Sequence, residues 1–470
     1  MNLQTETLQL TIETLGFEGK SIAHHNGIVV FVEGGVSGDT ILANITKKKK
    51  KYWEAKILEI LSPSPQRTTP QCSHFGICGG CKWQHVEYTT QLHYKHQHVI
   101  DALERIGGLQ NINILPIIPA TQQYFYRNKI EFSFGDQRWL TEEEIHNDIK
   151  IENKNFAVGF HIPQRYDKIV DIQKCYLQSE LSNFILQTIK IFALENSLPA
   201  YSSKTETGSF RNLVIREGKN TGDVMVNLVT FDDNQEIMQN LTKILTKKFP
   251  EITTIINNIN TKKAQIAVGE YEKVYYGEGI IHEKLGDCIF AISANSFFQT
   301  NTHQAEKLYT LVKEFGEFKK NNVVYDLYCG TGSIGIFIAN SVQYVVGIDI
   351  VESSIVNARM NAKLNCLENC EFIHGDLKDL LTKDTEWQQR YAKPDVIILD
   401  PPRSGMHPKA VEKIGIMKIP NIVYVSCNPA TLARDIQMFN SFGYSLEKIQ
   451  PVDMFPHTYH IESVAKLVLE

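Results

Sequence analysis

A chain of 470 residues is long enough for about three domains. Its 43% hydrophobic and 21% charged residues are ordinary for a globular protein, and no run approaches the apolar length of a membrane span. With a net charge of −5, a nucleic-acid partner has to be argued from local patches. Nine cysteines, with no basic-then-apolar leader, point to thiols and metal ligands in a cytoplasmic protein rather than to disulfides.

Residues 1–62 alternate short β-like runs (8–12, 28–32, 40–45 and 53–60) with glycines from Gly16 to Gly38. Short strands with frequent turn signals predict a small barrel of the OB type, and the segment resembles a TRAM domain. Five lysines, Lys47 to Lys51, lie between two of the runs. They suit attraction to a phosphate backbone, or simply the solvated tip of a hairpin.

Prolines 63, 65 and 70 mark a linker into the segment 63–83, where Cys72, Cys78 and Cys81 are spaced x5 and x2 around glycines; Cys175 is a fourth candidate far downstream. Four thiolates could hold zinc or an iron–sulfur cluster. Zinc sites usually pair two short hooks, so the isolated fourth ligand favours a [4Fe–4S] cluster. A helix is predicted from Trp83 to about Ile106, ended by Gly107-Gly108, with His85, His93, His96 and His98 on a solvated polar face. Residues 117–290 read as an α+β domain with strands at 130–134, 157–160, 213–217 and 223–229, the last two joined by a hairpin at 218–222. Tyr124, Tyr126, Arg127 and Lys129 interleave aromatic and basic groups, as suits RNA or a packed strand edge. The acidic stretch 141–155 suggests nothing beyond a polar loop.

From residue 291 to 470 the alternation becomes regular. Strands are predicted at 323–327, 345–349, 371–374, 396–399, 422–425, 444–452 and 463–468, most with helices between them. That pattern gives a mostly parallel sheet with an antiparallel edge, as in Rossmann-like methyltransferases. Gly330, Gly332 and Gly335 form a G-x-G-x-x-G turn after a strand, and Asp349 follows at the next strand's end, suited to a ribose. Asp326, just before the turn, would repel a pyrophosphate but suit the cationic amino-acid part of S-adenosylmethionine. Asp400-Pro401-Pro402-Arg403 ends the fourth strand. Cys427 stands at the lip of the fifth, where Asn428 and Arg434 could supply the polar setting that a reactive thiolate needs. Glu462 is placed at the sheet edge, where burial could raise its pKa into a general base's range.

Four signatures carry a specific resemblance: C-x5-C-x2-C, F-x-Q-x-N at 297–301, SCNPxTLARD at 426–435 and MFPHTxHxE at 454–462. The chain resembles the class I RNA 5-methyluridine methyltransferases over nearly its full length. Because the tRNA branch typically lacks both barrel and cluster, the likeness is nearest to the 23S ribosomal RNA enzymes of the uridine-1939 type. It implies a seven-stranded S-adenosylmethionine methyltransferase fold with an N-terminal TRAM barrel and a central RNA-binding domain. It also implies Cys427 as nucleophile and Glu462 as base. Gln299, Tyr328, Asp349, Asp376 and Asp400 would line the cofactor pocket, and Phe297 would stack on the target uracil. Cys72, Cys78, Cys81 and Cys175 would ligate the cluster. Asp349 and Asp376 stand where relatives carry Glu and Asn. The segment 84–116 would pack on the catalytic domain. RNA, most directly 23S rRNA, is the implied partner, with no membrane and no protein partner. A non-catalytic RNA-binding factor and a cytosine-C5 methyltransferase are the rival readings.

Overall fold

The computed structural model describes residues 6–146, 153–163, 165–263, 266–380 and 391–470. Strands β1 (Thr7–Thr11), β2 (Thr14–Leu15), β3 (Ser21–His25), β4 (Ile28–Glu33), β5 (Thr40–Lys48) and β6 (Tyr52–Ser62) form one sheet in the order β1-β5-β6-β4-β3-β2. Alternate residues such as Leu10, Val30, Val32, Ile41 and Ala43 turn inward to a small core, as period-two patterning requires. The lysine run forms the exposed β5–β6 turn, where Lys48 and Lys49 reach over Trp53 and Tyr52.

After the cysteine segment comes α1 (Tyr88–Arg105). Residues 83–87, predicted to be helical, are not: Trp83 is fully buried and its N–H is committed to His457 O (3.0 Å). Of the four histidines expected on a solvated face, His93 is exposed but His85 and His98 are buried. His98 bonds Leu15 O (2.8 Å) and His85 lies against Gly35 O (3.4 Å), so two of the four seat α1 and its approach on the barrel.

The central region is a mixed seven-stranded sheet in the order β13-β12-β11-β10-β7-β8-β9. Its strands are β7 (Lys129–Gly135), β8 (Ala157–Ile162), β9 (Arg165–Asp171), β10 (Phe210–Glu217), β11 (Val224–Thr230), β12 (Ile252–Ile259) and β13 (Tyr271–Tyr276). A short helix, α2 (Glu142–His146), lies in the acidic stretch, of which 147–152 falls outside the described residues. Helices α3 (Glu180–Glu195) and α4 (Gln235–Lys248) pack Ile185, Ile189, Leu241 and Leu245 against the sheet. The hairpin β14 (Ile280–Leu285) and β15 (Cys288–Ser293) leads to the last domain.

There, β16 (Val323–Leu327), β17 (Tyr344–Asp349), β18 (Cys370–His374), β19 (Val396–Leu399), β20 (Asn421–Ser426), β21 (Tyr444–Val452) and β22 (Glu462–Leu469) order as β18-β17-β16-β19-β20-β22-β21. The first five are parallel; β22 is antiparallel to both of its neighbours. Helices α5 (Thr302–Gly316), α6 (Ser333–Ile338) and α7 (Glu352–Leu364) cover one face with Leu308, Ile334 and Ile355. A one-turn helix, α8 (Leu377–Leu380), follows β18. The other face is covered by α9 (Pro408–Met417), α10 (Pro429–Asn440) and α1, whose Val99 and Leu103 share a core with Val411 and Leu432. Both faces are thus buried, which is why the central strands read as unbroken Val/Ile runs. No helix among the described residues is long and apolar enough to cross a membrane.

Candidate active site

Strands β16, β17, β19 and β20 end at one rim, so Tyr328, Asp349, Asp400 and Cys427 stand along the crevice where open α/β sheets bind ligands. Strand β22 runs the opposite way, and its Ser463 pairs with Ser426. One residue further out, the register sets Cys427, just past β20, opposite Glu462, the first residue of β22, whose charge reaches the thiol. Glu462 begins an interior strand flanked by β20 and β21, rather than lying at the sheet edge as its position near the chain's end suggested.

The crevice is acidic. Burial pushes Asp326 up to about 7, with Asp400 and Asp349 adding to it and the Gly335 N–H (2.9 Å) opposing. Asp400 is likewise pushed up to about 7 by burial. Glu462 is raised well above the ordinary carboxyl range, by burial first and then by Asp400. The Cys427 thiol is pushed up to about 12 by burial and by the charges of Glu462 and Asp400, so without ligands it holds its proton. Arg403 opposes the shift at both Glu462 and Cys427.

Arg403 had no role assigned from sequence, although it closes the Asp-Pro-Pro-Arg turn at a strand's end, which was the available signal. Arg434, the cation expected at Cys427, is occupied elsewhere. It donates to Ser404 O (3.2 Å), Met406 O (3.1 Å) and Asp435 (2.6 Å), and so holds that turn in place. Asn428 caps α10 through Ala430 N (3.0 Å) and donates to Arg403 O (3.1 Å).

A cationic cofactor fits this crevice. Asp326 Oδ1 is buried without a hydrogen-bond partner, and unpaired buried acceptors are costly. Gly330 (φ +54°) has no atom within 4 Å of where a side chain would begin, leaving room beside the turn. At Gly332 (φ +75°) a Cβ would strike Phe372 at 2.7 Å, so glycine is required there by packing as well as by conformation. Asp349 accepts from Gly330 N (2.9 Å) and Val351 N (2.8 Å), bracing the turn, and its lone pairs still leave capacity for a ribose hydroxyl. Gly375 N donates to Asp349 O (2.9 Å), which sets Asp376 beside Asp349. Tyr328 has φ +67°, a costly conformation for an aromatic residue of the kind that clusters at functional sites.

Phe297 is 64% exposed, an unusual position for a phenylalanine. Its segment is clamped from below. Arg216 donates to Ser296 O, Asn128 to Gln299 O (2.8 Å), and Asn301 to Met454 O (2.9 Å). Asn301 thereby joins this segment to the loop before Glu462.

That loop is held on every side. Lys95 and Asp453, both without exposed side-chain surface, pair at 2.6 Å; Lys95 also donates to Phe455 O (3.0 Å) and Tyr88 to Asp453 (2.8 Å). Tyr126 donates to Pro456 O (3.1 Å) and is buried, and Tyr124 lies against the His457 ring at 4.3 Å. These two tyrosines therefore brace the loop and are not free to stack on RNA. Lys82 N and Trp83 N both donate to His457 O (2.9 and 3.0 Å), and Gln91 accepts from His457 N (2.9 Å). Burial holds His457 and His460 down to about 4, so both are neutral at pH 7.

Cys72, Cys78, Cys81 and Cys175 line a single cavity of about 330 Å³. Gln84 donates to Cys81 Sγ (3.3 Å) and Gly80 N to Cys78 Sγ (3.5 Å). Among the described residues, no group of three or more His, Cys, Asp or Glu side chains is arranged to hold a metal ion. The iron–sulfur expectation thus gains a common cavity but no ready ligand geometry.

Residues 218–469 match the family model "tRNA (Uracil-5-)-methyltransferase", and residues 3–58 match the TRAM domain. An uncharacterized RNA methyltransferase of Chlorobaculum tepidum is 45% identical, over 93% of this chain and 91% of its own. One from Bacteroides thetaiotaomicron is 42% identical, over 96% and 99%. The crystal structure of Pyrococcus abyssi tRNA (uracil-54, C5)-methyltransferase with S-adenosyl-L-homocysteine superposes with a TM-score of 0.75 at 30% identity, covering 98% of this chain and 100% of that one. A tRNA enzyme therefore spans the whole of this architecture, so the presence of the barrel does not separate ribosomal from transfer RNA as targets. By extent and identity the chain belongs to the tRNA (uracil-5-)-methyltransferase family, S-adenosylmethionine-dependent enzymes that methylate uracil C5 in RNA.

Proposed function

We propose that this protein methylates one or more uridines of 23S ribosomal RNA, of the uridine-1939 type, through a transient bond between Cys427 and C6 of the base. The supporting observation is the antiparallel pairing of β22 with β20, which sets a buried carboxyl next to the thiol at the cofactor's rim. Uracil C5 is a weak nucleophile. Once Cys427 has lost its own proton to solvent, the thiolate adds to C6 and moves electron density onto C5, which then takes the methyl group with S-adenosylhomocysteine as the leaving group. S-adenosylmethionine supplies the electrophilic methyl group, held by Gln299, Tyr328, Asp349, Asp376 and Asp400. Glu462 then takes the C5 proton, the C5–C6 double bond re-forms, and the thiolate leaves. Arg403 offsets the negative charge as the thiol ionises. Phe297 stacks on the uracil after the base has been extruded from its helix.

The barrel (1–62) and central domain (117–290) hold the RNA, and 291–470 with 84–116 carry the chemistry. The segment 63–83 joins with Cys175 to hold a [4Fe–4S] cluster, a reading favoured by four thiols on one cavity and by N–H···S contacts that suit ligated thiolates. The protein works in the cytoplasm. The likeness to the Pyrococcus enzyme favours a second reading, a uridine in tRNA.

RNA carrying 5-fluorouridine, which has no C5 proton to lose, should form a denaturation-stable adduct with the protein and none with Cys427→Ala. Absence of the wild-type adduct would refute the covalent route. Mapping 5-methyluridine in both RNA classes from cells lacking the protein decides the target.

A further inference from the structure

A second cavity, of about 550 Å³, opens where the barrel, α1 and the start of α10 meet. Its wall includes Phe17 of the barrel turn, Tyr94, Gln97 and Arg105 of α1, and Pro429 and Ala430. Nothing in the proposed chemistry uses it, yet Pro429 is two residues beyond Cys427, so their Cα atoms lie within roughly 7.6 Å at 3.8 Å per residue. We propose that this cavity receives the base of a nucleotide flanking the target uridine.

Three observations support that occupant. The surface is continuous with the mouth of the active site: Tyr459 stands edge-on to Phe17 (5.8 Å) and against His460 (4.2 Å), and the charge of Arg403 reaches His460. It is apolar and open, with Phe17 41% and Ile106 46% exposed, at the entry to a site whose substrate is RNA. It is also preformed. His98 fixes Leu15, and a Cβ on Gly19 would meet Lys82 at 2.9 Å, so the barrel turn is seated against the catalytic side rather than loosely placed.

Drawing one uridine out of a helix leaves its neighbour without a stacking partner. An aromatic wall beside the extruded base replaces that partner, and a flat ring fills such a cavity as a small ligand does. Gln97 donates to Asp101 (3.0 Å), which leaves the Gln97 carbonyl as an acceptor for a base edge; Arg105 pairs with Asp101 through one nitrogen (3.5 Å), and its exposed guanidinium keeps further N–H groups as donors.

The inference rests on Cys427 as the reacting residue, but its test does not need the covalent step. Methylation of a ribosomal RNA fragment is measured with each flanking nucleotide made abasic in turn, in wild type, Phe17→Ala and Ile106→Ser. At one flanking position, loss of the base should raise the wild-type KM for RNA about tenfold. The same loss should add little to either variant, whose KM is already raised. A penalty at every position that is equally large in the variants would overturn the proposal, and is what a protein segment or a second copy in the cavity would produce. Failure of the fluorouridine adduct would instead sink the covalent route while leaving this comparison intact.

Discussion

Burial and the charges of Glu462 and Asp400 push the Cys427 thiol up and Arg403 opposes them, in a crevice with more acid than base. In the proposed reaction, replacing Glu462 by Gln removes the acceptor for the C5 proton but leaves the thiol able to add. We therefore expect E462Q to accumulate a covalent RNA adduct visible as a shifted band under denaturing conditions, with turnover down by at least about 100-fold. Normal turnover would mean that another group takes the proton. The acids also set a pH dependence. Asp326 and Asp400 keep protons up to about pH 7 in the folded protein, whereas unfolded carboxyls lose them near 3.9. Their stabilisation is full below that value and drains as pH rises through 7. His457 and His460, held to about 4, act oppositely, but only below roughly pH 6.5. Between pH 6.5 and 8 the acids act alone. The cofactor-free Tm should fall across that window, and the Tm gain on adding S-adenosylmethionine should grow, because its positive charge relieves the acids. A pH-independent gain would contradict the acidic crevice as its seat. The place of Cys427 at the lip of a strand and the glycine turn were legible in sequence because local spacing carries them. The choice of Arg403 over Arg434 was not, since both flank the site in sequence and only the course of α10 turns Arg434 away.

At the scale of elements, the loop 453–461 is the piece that must be right for Glu462 to reach Cys427, and α1 is its main support. Lys95 and Asp453 form a buried pair whose side-chain hydrogen bonds come from the loop and α1. Lys95→Met leaves the Asp453 carboxylate buried without a counter-ion, which should cost about 3–5 kcal/mol by denaturant unfolding. Adding Asp453→Asn should return much of the loss, and a double variant no better than the single would show that the pair is not the reason. The strands of this domain were readable from their Val/Ile runs. The interior position of β22 was not, because it depends on β21 crossing to the outside, a pairing between distant segments that no local pattern encodes.

Across the whole molecule, turn signals, prolines, cysteines and the onset of regular alternation suggested a barrel, a cysteine segment, a central α+β region and a catalytic domain. How those parts touch was hidden. The contacts run through single polar atoms, such as His98 on Leu15 O, which look like ordinary surface histidines in sequence. The amides of Lys82 and Trp83, the two residues after Cys81, grip one carbonyl, that of His457, whose backbone sits at φ +66° and which lies five residues before Glu462. Whatever loosens Cys81, oxidation included, slackens a tether on the loop that carries Glu462, the proposed base. Cys81→Ser should therefore speed hydrogen–deuterium exchange at 455–462 in the intact protein while leaving β16 to β19 protected. If exchange rose only around residue 81, the thiol site and the reaction centre would be mechanically independent neighbours.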